Sequence, residues 1–253
     1  MDRTIEIASQ LADRVLHSSP GFSAARETAR RQSRSEYLCF IDPGKYPADE
    51  TTLSSLVSRL ELDPRLGACQ ARIVIDAERA RRNMLARAEQ FRYSRYFLKD
   101  AGRLTDFVVT SATVFRASAL ERVGGFRQHL KTSDDGYMSI RLSEEGYGLF
   151  VSDEAVVVHQ FDEGFTELLK KTIRGSRDSY LVYRLCHRKA HSFVARSTPF
   201  HAIVRGAKLA AVALADTKDI WLAGFVFFEV SLYHISFFLG FVTELIRDIF
   251  AEP

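Results

Sequence analysis

Thr132-Ser133-Asp134-Asp135-Gly136-Tyr137-Met138-Ser139-Ile140-Arg141-Leu142 is the stretch on which the reading of this 253-residue chain turns. Two adjacent carboxylates open a predicted helix, Arg141 follows on it, and Gly146 ends it. An apolar strand from Gly148 to Val158 then delivers His159 at its far end. Acids at a helix N-terminus are favoured by the helix dipole, and there they can also act as a base or hold a cation. Capping alone explains many such acids. The weight therefore comes from what surrounds them.

Upstream, helical and strand patterns alternate. Thr4 to Ala12 reads as a helix, Arg14-Val15-Leu16 as a short strand, and Gly21 to Ser33 as a small-residue helix. Tyr37-Leu38-Cys39-Phe40-Ile41 is a continuous apolar run ending at Asp42, as expected of a strand buried on both faces of a parallel sheet. Thr51 to Leu62 has helical spacing and Gly67 to Ile75 is a further strand. This order predicts an α/β domain with a parallel sheet. In such sheets ligand groups lie beyond the carboxyl ends of strands, where Asp42 falls, before Pro43 and Gly44.

Composition excludes several classes. Thirty-five Lys and Arg against 32 Asp and Glu give a net charge of +3, too small to argue for a nucleic-acid partner, and no nucleic-acid-binding motif is present. The three cysteines, Cys39, Cys69 and Cys186, lack metal-ligand spacing and suit reduced thiols in the cytosol. The N-terminal residues have no signal-peptide core. Ala77 to Lys99 reads as one long arginine-rich helix with a partial apolar stripe through Leu85, Ala88, Phe91 and Tyr96 or Phe97. It is either a solvated helix or one that meets lipid head groups.

Several pieces in order carry a family resemblance. They are Gly21-Phe22-Ser23-Ala24-Ala25-Arg26, then Tyr37 to Gly44, and Phe115-Arg116-Ala117 through Val123-Gly124-Gly125-Phe126. The Asp134-Asp135 pair with Arg141 and Gly146-Tyr147 leading to His159 complete the set. Over residues 21–159 the chain resembles the family-2 inverting glycosyltransferases of GT-A fold. The resemblance implies a GT-A-like (Rossmann-related) mixed α/β sheet flanked by helices, and a nucleotide-sugar donor. It implies that Asp135 is the catalytic base and that Asp134 stands where the family more often has Glu. Asp42 becomes the first acid of the Asp-x-Asp motif that binds donor and metal, Mg²⁺ or Mn²⁺, with His159 nearby. Thr110 and Ser111 line the acceptor side, and Arg26 faces the donor. Gly44 replaces the motif's second carboxylate, so weak or absent metal binding is expected. The family's domain begins with a strand, a helix and a second strand, whereas Met1 to Ala8 already resembles the helix after them. A domain lacking those strands would leave Tyr37–Ile41 at a sheet edge, open to completion by another polypeptide.

Past residue 160 the composition changes, which divides the chain into a domain over 1–160 and a helical region over 161–253. Phe165 to Arg188 reads as a helix whose basic run includes Arg174 and Arg177, similar to the donor-binding basic helix that follows the domain in processive relatives, though their Gln-x-x-Arg-Trp motif is missing. Ile220 to Val242 is long enough to cross a bilayer, with Trp221 at one end and Arg247 past the other. Glu229 and His234 point some 140° apart on that helix. Glu229 is therefore expected to turn inward, in a hairpin with Ile203 to Ala215 that enters or crosses the cytoplasmic leaflet. The expectation is a membrane-associated transferase facing the cytoplasm, acting on a lipid-linked or glycan acceptor. The rivals are an inactive partner subunit and a membrane scaffold.

Overall fold

The structure is a computed structural model that describes residues 3–96, 100–162, 164–186 and 198–251. Helices α1 (Thr4–Leu11) and α2 (Phe22–Gln32) precede strands β1 (Tyr37–Ile41) and β2 (Lys45–Pro47). Helix α3 (Thr52–Leu62), strand β3 (Leu66–Ile75) and helices α4 (Ala77–Arg82) and α5 (Met84–Tyr96) follow. Then come β4 (Arg103–Thr105), β5 (Ala112–Arg116), α6 (Ala117–Arg122), α7 (Asp134–Glu144) and β6 (Gly148–His159). Three long helices complete the chain: α8 (Phe165–Leu185), α9 (Pro199–Thr217) and α10 (Ile220–Ala251).

The six strands form one mixed sheet in the order β1-β5-β3-β6-β2, with β4 also paired to β6. Only β3 and β6 run parallel; every other pairing is antiparallel. This agrees with the mixed sheet that the resemblance implies and corrects the parallel sheet read from the order of elements. Apolar runs such as β3 and β5 are buried on both faces, which reports burial and says nothing of strand direction. Strand β1 is correspondingly an edge, paired with β5 alone among the described residues, and its Cys39 is exposed. One core layer lies beneath α6 and α7, through Phe115, Leu120, Phe126, Tyr137, Met138 and Leu142. A second lies under α3, through Leu56, Leu60, Cys69, Ile73 and Val157.

Two local expectations fail. Arg14–Leu16 is not a strand: it is exposed coil, and Arg14 reaches back to the Gln32 side chain at 2.9 Å. The arginine-rich segment is two helices broken at Asn83, because Asp76 caps α4 through Glu78 and Arg79 while Asn83 Oδ1 caps α5 through Leu85 N at 2.9 Å. Phe97 and Lys99, placed in that helix by the sequence reading, lie outside the described residues, as does Arg188 beyond α8.

The C-terminal helices join this body through α5. Leu209, Ala213, Leu222, Val226 and Val230 of α9 and α10 share a core with Ala88. Arg87–Asp219, at 2.7 Å, and Arg95–Asp216 clamp the rim. Helices α9 and α10 form a hairpin in which a Cβ at Gly206 would overlap Ser231. Helix α8 runs alongside α10, from the Phe165–Phe228 stack to the Arg184–Asp248 ion pair at 2.6 Å.

Candidate active site

The acid pair opens α7 at the mouth of the sheet, and α8 holds the strap leading into it. Asp178 Oδ2 accepts from Lys131 N at 2.7 Å, Thr132 N at 2.6 Å and Thr132 Oγ1 at 2.8 Å. Ser133 Oγ donates to Gly175 O at 3.0 Å. Four bonds to α8 thus fix the three residues before Asp134. Opposite them, Thr110 N donates to Asp135 Oδ1 at 3.0 Å, and the Thr110 hydroxyl bonds the same oxygen.

Arg26 joins the acids of two distant segments. Its guanidinium donates to Asp42 Oδ1 at 2.5 Å and, from its other branch, to Asp134 Oδ2. The planar fork suits that geometry, which a lysine would not reproduce. Helix α2 delivers Arg26 because Glu27, one residue on and fully buried, accepts from Arg30, from Arg31 and from Phe126 N at 3.0 Å. Those contacts, with the Glu27 carboxylate held down to about 2, need Gly125: its φ is +70°, and a Cβ there would overlap that carboxylate.

Asp42 begins a tight turn to Lys45. Gly44 takes a φ of +77°, and its carbonyl accepts from Gln160 N at 2.7 Å. Lys45 is buried, donates to Ser111 Oγ at 2.6 Å and lies 3.7 Å from Asp42 Oδ2. Burial pushes its ammonium pKa down, Asp42 pulls it back up, and Lys171 of α8 pushes it down again. Burial raises both acids of the pair: Asp134 rises to about 7, with the Asp135 charge adding to the rise and Arg26 opposing it, and Asp135 rises despite its Thr110 bonds. Both shifts favour the protonated form of the pair relative to a free aspartate.

A model of glycosyl transferase family 2 matches residues 1–124. Those residues belong to that family. Among solved structures, the chain is similar to the mannosyltransferase PcManGT from Pyrobaculum calidifontis, determined in complex with GDP-Man and Mn²⁺. The identity is 18%, the TM-score 0.56, and the match covers 99% of this chain and 73% of that one. It is also aligned with S. aureus TarS 1-349, at 12% identity and a TM-score of 0.49, over 98% of this chain and 80% of that one. At these identities the likeness concerns the fold, a GT-A-like mixed sheet with an added apolar helix at the C-terminus. A comparison with curated proteins finds no match.

With the family in hand, the expected site residues divide. Asp42, Asp134, Asp135, Arg26, Thr110 and Ser111 come together around one polar cluster. His159 lies across the ladder from Lys45, at the rim of the same turn, its ring edge-on to Phe161. Arg177 instead pairs with Glu244 of α10 at 3.2 Å, and Arg174 is exposed on α8. Sequence reasoning missed Lys45 and Asp178. The signal for Lys45 was a cation immediately after the Asp-Pro-Gly turn. For Asp178 it was an acid set directly after the basic run from Lys170 to Arg177.

A tightly held divalent cation does not fit the side chains around Asp42. Among the described residues no group of three or more His, Cys, Asp or Glu side chains is placed to hold one. Two cations already face the Asp42 carboxylate. Two unit charges 4 Å apart repel by about 4 kcal/mol at an effective dielectric of 20, and a divalent ion doubles that.

Proposed function

We propose that this chain transfers a sugar, with inversion, from a nucleotide sugar to a hydroxyl of a lipid-linked or polysaccharide acceptor. Asp135 is the base that takes the acceptor proton, and Asp134 is its charge-coupled neighbour. Asp42 and Arg26 face the donor and Thr110 and Ser111 the acceptor side, while Arg174 and Arg177 of α8 stay outside that cluster. The observation that carries this reading is the convergence of Asp134 and Asp42 on one buried arginine at the mouth of the sheet, with Asp135 held beside them by Thr110. The Mn²⁺ and GDP-Man of PcManGT support a nucleotide-sugar donor. Mg²⁺ or Mn²⁺ enters as a weak addition beside Asp42 and His159, which gives this chain's own cations the larger part in donor binding.

The site over residues 1–160 works at a membrane surface, held there by the helices of 161–253, with the catalytic region on the cytoplasmic side. The exposed stripe of α10 carries Trp221, Phe228, Leu239, Ile246 and Phe250. Its acids point inward, Glu229 toward Arg92 and Asp248 toward Arg184. That inverts the usual amphipathic order and supports a lipid-facing surface. With α8 packed along it, crossing the bilayer would carry Arg177 and Arg184 into hydrocarbon, at about 3 kcal/mol each. The hairpin is accordingly read as lying in the leaflet.

The rival reading, a partner subunit without activity, draws on Gly44 and on the open edge of β1, where a strand from another polypeptide would pair. Turnover of radiolabelled nucleotide sugars by the full chain in membranes decides between them. In the transferase reading, Asp135→Asn abolishes transfer, by about a thousandfold. Equal product from that variant would sink the assignment, and no turnover by the natural chain with any donor would favour the partner.

A further inference from the structure

The turn from Asp42 to Lys45 presents positive charge where the family motif presents a second carboxylate. Gly44 has no side chain to offer, and the next residue supplies a buried ammonium fixed by Ser111 Oγ at 2.6 Å. Arg26, 7% exposed, meets the other oxygen of Asp42 from the opposite side. A third cation, Lys171, is near enough for its field to reach Lys45. Two cations, Lys45 and Arg26, thus stand among the acids at the end of β1. An ammonium and a guanidinium converging at a strand end suit a polyanion, whose attraction is strengthened where water is partly excluded.

We propose that Lys45 and Arg26, backed by Lys171, hold the donor's diphosphate in place of a divalent metal, so that nucleoside diphosphates bind this chain without one. The inference rests on the transferase reading above for the choice of ligand. It goes beyond that reading in assigning the charge-neutralising role to side chains. Lys45 is a compact point charge suited to a bridging phosphate oxygen, and the Arg26 guanidinium, oriented by Asp42 and Asp134, adds its charge beside it.

The test is calorimetric titration of the full chain with ADP, CDP, GDP, UDP and dTDP, in EDTA and again with Mn²⁺. The expected result is that one of these nucleotides binds in EDTA and that Mn²⁺ changes its Kd by less than threefold. Lys45→Met should weaken that binding at least tenfold in EDTA, while Lys45→Arg keeps most of it. Unchanged circular dichroism and melting would show that the methionine variant is folded. Gly44→Asp introduces the missing carboxylate at a backbone angle that Asp tolerates better than most residues. Little but the Gln160 carbonyl, 3.6 Å away, crowds its Cβ. In that variant, binding should become Mn²⁺-dependent by tenfold or more. Binding by the natural chain only with Mn²⁺ overturns the inference and leaves the transferase reading standing. Binding in EDTA that survives Lys45→Met intact also overturns it. No binding by any nucleotide in either buffer takes down both.

Discussion

Arg26 and Arg92 each sit between a pair of carboxylates, and they do so in different surroundings. Arg26 bridges Asp42 and Asp134 at the mouth of the sheet, where Asp42 stays 23% exposed. Arg92 of α5 joins Glu89 at 2.5 Å and Glu229 of α10 at 3.7 Å, inside the seam between the sheet body and the C-terminal hairpin. The Glu89 and Glu229 side chains are sealed, and the Tyr233 ring lies over the Arg92 guanidinium. The open cluster has further polar neighbours that can contact a ligand or carry a proton: Asp135, Thr110, Lys45 and Ser111. Helix packing covers both carboxylates of the other, although Arg92 itself stays 20% exposed. In the transferase reading the same charge pattern serves chemistry in one place and attachment in the other, and the polar neighbours around Arg26 make the difference.

Removing each arginine is the strongest way to break that contrast. Arg92→Met leaves two acids facing each other without a cation, and breaking a buried ion pair from one side costs about 3–5 kcal/mol. The expected outcome is a large fall in the urea midpoint with transfer per folded molecule intact. Arg26→Met should show the reverse pattern, a smaller stability loss beside a loss of transfer, since Asp42 can be rehydrated. Urea titration followed by circular dichroism, paired with the transfer assay, reads both quantities. If the two variants give the same pattern, the division into a catalytic and an attaching cluster is wrong.

What the sequence disclosed follows the range of the interactions. The acid pair, the helix it opens and the apolar strand to His159 are local patterns, and they stand where the spacing put them. Contacts between distant segments were invisible. Lys45 and Ser111 are 66 residues apart, and Thr132 and Asp178 are 46 apart, with no periodicity to announce either pair. That His234 would not share one narrow groove with Glu229 was legible, because helical geometry fixes the angle between them. The partner of Glu229 was not, since Arg92 comes from a different helix than the neighbouring hairpin arm. Sheet direction was misread for a related reason. β5 returns antiparallel between β1 and β3, yet it is as apolar as a parallel strand because helices cover both faces.

A membrane experiment sharpens the other half of the comparison. Trp221 is the chain's single tryptophan and is 80% exposed at the start of α10, so its emission reports on that face alone. Anionic vesicles should shift the emission to the blue. Ile246→Glu and Leu239→Glu, on the same exposed stripe, should each weaken partitioning about tenfold, from the loss of one partly buried apolar side chain. Neither should alter the urea midpoint by much, because neither side chain lies in the core. An emission maximum indifferent to vesicles would return the stripe to a protein–protein role.

The smallest effect expected is also the one with a distinctive sign. The Asp134–Asp135 pair is raised by burial, with Asp134 at about 7, whereas an unfolded aspartate titrates near 3.8. The base must be ionised to accept a proton, so with Asp135 raised by burial kcat/KM should climb with pH through a limb well above the usual carboxylate range and fall towards acid. Stability moves the other way. Between about pH 4 and pH 7 the folded chain holds a proton that the unfolded chain has released, so raising the pH across that window removes stability contributed by this pair. The Arg92 cluster gives no such activity profile, because nothing it binds takes part in transfer. Measuring kcat/KM and the urea midpoint over the same pH series therefore separates two causes. Opposite slopes point to the acid pair, since loss of activity through acid unfolding would make both quantities fall together as pH drops. Parallel slopes would show that the acidic limb reports global unfolding and that the pair is not the titrating base.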